Sequence, residues 1–85
     1  MNKLDSIKKK IKYRSNYRGT KELDIILSNF VNKILDKLTE ADLVELSKLL
    51  DFDDEVIYKF YQNNIAEDGI ENNKMAKLLL KYKND

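Results

Sequence analysis

The chain has no cysteine, no histidine, no proline and no tryptophan, and only two glycines. Without cysteine there is no disulfide framework and no thiolate metal site. Without histidine the commonest general base and the commonest zinc ligand are gone. A nucleophile would have to be Ser, Thr or Lys, and Ser6, Ser15, Ser28 and Ser47 lie in helical patterns with no base beside them. A chain of 85 residues also rarely holds a catalytic pocket as well as a core. An enzyme is therefore not expected. No apolar run approaches the roughly 18 residues needed to cross a bilayer, so the protein is not expected to be membrane-embedded. The basic start, MNKLDSIKKKIKYR, has no apolar segment behind it and does not read as a secretory signal. Nor is it acid-poor and serine-rich, as a transit peptide would be. The abundance of Lys, Asn and Ile, all with A/T-rich codons, points to an AT-rich bacterial genome, and a bacterial cytoplasmic location is the expectation.

What is present is charge and helical periodicity. The net charge of +1 conceals an asymmetry: residues 1–21 carry eight Lys and Arg against Asp5 alone, and residues 22–85 carry eight against fourteen Asp and Glu. A basic arm on an acidic body is one signature of an anionic partner. Apolar residues recur with helical period throughout. Leu4, Ile7 and Ile11 mark a first segment, with Tyr13 and Tyr17 four apart. Leu23, Ile26, Leu27, Phe30, Ile34 and Leu38 trace a second, thickened by Val31 and Leu35. Thr39-Glu40-Ala41-Asp42 resembles a capping box opening a third. Asp53 is placed to cap a fourth, with Asp54 and Glu55 favoured by the dipole of its first turn. Met75, Leu78, Leu79 and Tyr82 mark a fifth. The reading is all-α: one domain over residues 1–85, a small five-helix bundle with helices near 3–17, 21–37, 40–50, 54–63 and 70–82. Phe30, Ile34, Leu46, Leu50, Ile57, Phe60, Leu78 and Leu79 are the expected core.

The stretch YRGTKELD, from Tyr17 to Asp24, holds one of the two glycines. Two explanations fit it. In one, Gly19 is a left-handed helix stop, Arg18 suits the end of the preceding helix, Thr20 caps the next, and Glu22 and Asp24 suit its first turn. In the other, the stretch is a recognition corner. Glycine lets a partner's backbone approach, Arg18 offers a planar fork of donors, and Tyr13, Arg14 and Tyr17 add contact area of the kind enriched at interfaces. Glu22 would then hold Arg18 or bond the partner. A third possibility uses the lysines instead. KKKIKYR could make the chain a helical adaptor that binds an anionic partner, such as nucleic acid, through its first helix.

The segment RGTKELD resembles the R-G-x-x-E motif of the succinate dehydrogenase assembly factor family, the flavinylation factors of bacteria and mitochondria. The likeness extends to Tyr13-Arg14-Ser15 before it, IILSNFV after it, LSKLLDFDDEVIYKFY, and the final Met75–Leu80 helix. Two positions depart from the family pattern: Tyr17 stands where many bacterial members have a second arginine, and Phe60 where many have tryptophan. The resemblance implies a five-helix bundle that binds the flavoprotein subunit of succinate dehydrogenase, and of the related fumarate reductase. It implies that the chain promotes covalent attachment of FAD to a histidine of that subunit, holding no cofactor stably itself. Under it no nucleic acid is expected as a partner, and Tyr13, Arg14, Tyr17, Arg18, Gly19, Glu22 and Asp24 are the candidate partner-binding residues.

Overall fold

Helix caps and left-handed residues at Asn64 and at Asp68–Gly69 divide the chain. The computed structural model describes residues 3–16 and 18–84, and among them five α-helices and no strand. They are α1 (Lys3–Asn16), α2 (Lys21–Ile34), α3 (Glu40–Leu50), α4 (Asp54–Asn63) and α5 (Lys74–Asn84), with short 3-10 turns at Leu35–Lys37 and Ile70–Asn72. The α3 and α4 boundaries match the expected ones.

Local chemistry accounts for most of the ends. Thr20 sits in extended conformation and its hydroxyl accepts from the Leu23 N–H at 3.2 Å, capping α2. At α3 the capping box forms in both directions: Thr39 Oγ1 accepts from the Asp42 N–H, and Asp42 Oδ2 accepts from the Thr39 N–H. Asn64 closes α4 at φ 56°, and the Ile65 N–H reaches back six residues to the Lys59 carbonyl. Three ends differ from expectation. The second helix was read to residue 37, but its last turn tightens to 3-10 before Leu38 extends into the next cap. Asp53 occupies the α4 cap position, yet its side chain makes no capping bond. The fifth helix starts at Lys74 rather than 70, because Asn73 is its cap: Asn73 Oδ1 accepts from the Ala76 N–H at 2.9 Å.

The core is a single cluster fed by every helix. Helix α1 lies against α2 and α3, and α5 against α3 and α4. Phe30, Leu46, Leu50, Ile57, Phe60 and Leu79 are buried as expected, together with Ile11, Ile70, Met75 and Ala76. Ile34 and Leu78 are only half-buried and line the core's edge. The buried stripe of α2 runs through Leu23, Leu27, Phe30 and Val31, so its centre lies toward the residues read as thickening and away from Ile26 and Ile34. Phe30 meets Tyr82 edge-on with centroids 5.5 Å apart. Of the first-helix lysines, Lys9 and Lys10 are exposed, whereas Lys8 is half-buried and lies 3.8 Å from Asp36.

A candidate recognition corner

Helix α1 ends at Asn16 and α2 begins at Lys21, so Arg18, Gly19 and Thr20 form the turn between them. Tyr17 lies outside the described residues. The other candidate residues divide into those bonded within the fold and those facing outward.

Arg18 is bonded within the fold. Its side chain is 10% exposed. Nε donates to Asp54 Oδ1 at 2.8 Å, and Nη2 lies 2.7 Å from the same oxygen. Nη1 donates to the Leu50 carbonyl at 2.9 Å and Nη2 to the Phe52 carbonyl at 3.0 Å. Leu50 ends α3, so the guanidinium satisfies a carbonyl that has no partner within its helix, at the end where the dipole favours a cation. Asp54 begins α4, where the dipole favours an anion. One arginine therefore ties the end of α3 to the start of α4. Its planar fork makes this possible; an ammonium could not span both carbonyls and the carboxylate.

Gly19 is tied to the same carboxylate. Its N–H donates to Asp54 Oδ2 at 2.5 Å. The left-handed stop expected here is absent: of the described glycines only Gly69 has positive φ, at 80°. What requires glycine is the approach of Asp54, since a Cβ on residue 19 would stand 2.7 Å from Oδ2. Asp24 also turns inward, and its Oδ1 accepts from the Arg18 N–H.

Glu22 does not hold Arg18. It is exposed, and its Oε1 accepts a long bond of 3.5 Å from Gln62. With Thr20, Asp54, Glu55 and Tyr58 it lines an open groove of about 430 Å³ beside the corner. Arg14, one turn before Arg18, binds α3: Nη1 donates to Ser47 Oγ at 3.2 Å and Nη2 pairs with Asp51. Tyr13 projects outward, 65% exposed. The outward set is thus Tyr13, Gly19 and Glu22, while Arg14, Arg18 and Asp24 hold the corner's shape. Sequence reasoning missed Asp54 as the hub. It assigned that residue to the dipole of α4, because nothing local announces a partner 36 positions away. Among the described residues no group of His, Cys, Asp or Glu could hold a metal ion, and no helix is long and apolar enough to cross a membrane.

Comparison with known proteins places this geometry. Residues 9–83 match the family model described as flavinator of succinate dehydrogenase. A mitochondrial succinate dehydrogenase assembly factor 2 from Scheffersomyces stipitis is 39% identical over 71 residues, covering 79% of this chain and 48% of that protein. The factor of the same name from Lodderomyces elongisporus is 37% identical over 82 residues, covering 92% and 50%. FAD assembly factor SdhE of Acetobacter pasteurianus is 33% identical over 51 residues, covering 60% and 47%. The chain spans about half the length of these curated relatives. They also overturn the expectation of a bacterial cytoplasmic protein: the yeast relatives are mitochondrial factors, and they match over more of the chain than the bacterial one. The A/T-rich codon argument failed because such codons are not confined to bacteria. The chain belongs to the family of flavinators of succinate dehydrogenase.

Proposed function

We propose that this chain is an assembly factor that binds the flavoprotein subunit of succinate dehydrogenase and promotes covalent attachment of FAD to it. The observation that carries the reading is the family match over residues 9–83, which includes the whole Arg18–Glu22 corner. The geometry suits such a role. The corner is a hydrogen-bonded junction of four helices' ends, with Gly19 and Glu22 at its surface. An exposed turn held by such bonds can hold a client with little loss of its own freedom on binding. The reacting groups belong to the client and its flavin. This chain would act by position, docking near the flavin site so that the client's histidine meets the flavin in reactive geometry. Orientation of this kind can contribute several kcal/mol, with a ceiling of about 7–11 kcal/mol. The flavoprotein of the related fumarate reductase is proposed as a second client. No cofactor is proposed to stay on the chain.

The test is covalent flavin on the purified client subunit, read by in-gel fluorescence, with and without the chain. Glu22→Ala is the informative variant, because Glu22 is exposed and its one long bond is dispensable to the fold. It should keep the thermal melt and lower flavin attachment. A client that gains no covalent flavin from the wild-type chain would refute the proposal.

A further inference from the structure

Two open grooves carry charges of opposite sign. The acidic one, which starts at Thr20, carries Glu22, Asp54 and Glu55; Asp54 is paired with Arg18 and Glu55 with Lys59, which leaves Glu22 as its charge outside an ion pair among the described residues. The other, of about 500 Å³, runs along α1 where that helix meets α3. Its apolar surface comes from the half-buried Ile7 and the exposed ring of Tyr13, over the buried Ile11. Every charged residue on its lining is a cation: Lys9, Lys10 and Arg14. Arg14 is already neutralised by Asp51. Lys9 and Lys10 are exposed and enter no ion pair among the described residues.

A partner that covered this groove would remove the apolar walls from water, which favours docking. It would also desolvate the rim. Two ammonium groups left there without counter-charges would oppose docking unless the partner brought carboxylates to them. A neutral or basic segment therefore fits poorly, and an acidic one with apolar side chains at its centre fits well. The field reinforces this choice, since residues 1–21 carry a net charge of +7.

We propose that the α1–α3 groove docks an acidic amphipathic segment of the flavoprotein client. One or two of its apolar side chains would lie on Ile7 and Tyr13, with carboxylates facing Lys9 and Lys10. This rests on the assembly-factor reading and adds to it a second contact and an orientation. Arg14, four residues before Arg18, lines this groove, and Thr20, two residues after Arg18, lines the acidic one. A client docked the other way round would set its acidic segment against the exposed Glu22 and be repelled.

The experiment measures association and dissociation rates of the whole chain with the apo flavoprotein subunit, at low and at high salt. The double variant Lys9→Glu/Lys10→Glu should associate about tenfold more slowly at low salt, the difference shrinking as salt screens the field. The milder Lys9→Gln/Lys10→Gln should fall between. Tyr13→Ala should dissociate several-fold faster, with unchanged salt dependence. All three positions are exposed, and thermal melts will show the variants folded. If the wild type binds the client and all variants match it, the groove proposal is overturned and the assembly-factor reading stands. If the wild type does not bind the client, both fall. Vesicles containing phosphatidylglycerol form a separate arm. If the charge reversals abolish vesicle binding while client kinetics stay unchanged, the groove faces lipid and the proposal is overturned.

Discussion

A methyl group on Gly19 would stand 2.7 Å from Asp54 Oδ2, so the demand for glycine originates inside the molecule. This makes a prediction by double-mutant cycle. Gly19→Ala should destabilise the protein, because Asp54 must shift and its bond to the Gly19 N–H must lengthen. In an Asp54→Ala background the obstructing atom is gone, and the same substitution should cost less. The coupling should be roughly 0.5–3 kcal/mol by chemical denaturation. Additive effects would mean that glycine is needed for another reason. As a surface anchor alone, Arg18 could be replaced by Ala without cost to the fold. With its guanidinium bonded to Asp54, Leu50 and Phe52, the substitution should instead cost roughly 2–3 kcal/mol, below the figure for a fully buried pair because Asp54 is 28% exposed. Arg18→Lys should recover only part of this, since an ammonium lacks the fork.

The element most dependent on a single side chain is α5. Asn73 is 6% exposed; its Oδ1 caps the helix, and its Nδ2 donates to the Glu45 carbonyl of α3 at 3.0 Å. Asn73→Ala removes both bonds and should lower stability by about 1–2 kcal/mol, read as a drop in the denaturation midpoint. The same seam has a pH dependence. The Lys74 ammonium, and then the Thr39 N–H, hold the Asp42 carboxyl below its ordinary value. A carboxyl depressed in the folded state binds fewer protons folded than unfolded. Its contribution is therefore present above its ordinary value and lost as pH falls through the lowered folded one. Asp42→Asn should lower stability at neutral pH, change it little at pH values below the lowered folded one, and so flatten the acid limb of the stability curve between the two. An unchanged acid limb would mean that Asp42 gains nothing from Lys74.

At the scale of the molecule, the corner and the core are separable tests. Phe60 is 4% exposed in the common cluster, and Phe60→Ala should cost about 3–5 kcal/mol; an almost unchanged melting temperature would contradict its burial. Arg18 instead joins elements whose apolar faces pack elsewhere. In Arg18→Ala, amide hydrogen exchange should quicken around residues 51–54 as well as around 18–20, while the buried centre of α2 keeps its protection. Exchange that quickened evenly through the whole chain would mean that the corner is part of the global unfolding unit. The opposite charges of the two grooves also belong to this scale, since each combines residues from helices far apart in sequence.

The helices themselves were legible from residue types. A cap or a capping box such as Thr39 with Asp42 acts within one turn, so its signal is written in adjacent positions. The apolar period marked which face of each helix turns inward, though not how deeply, which is why Ile34 and Leu78 lie at the edge. Where two local signals compete, the sequence misleads: Gly69 marks the end of a loop and so suggests a helix from 70, but a 3-10 turn follows it and Asn73 carries the cap of α5. The motif residues Arg18, Gly19 and Glu22 could be picked out as unusual in a chain poor in glycine. Their roles could not be read there. Glycine at position 19 looked like a left-handed stop, because backbone strain is the commonest local reason for glycine. Only the packing of α1's end against the α3–α4 turn brings Asp54 within 2.5 Å of the Gly19 amide. A carboxylate 35 residues away leaves no local trace, since its pairing depends on which helix ends the core draws together.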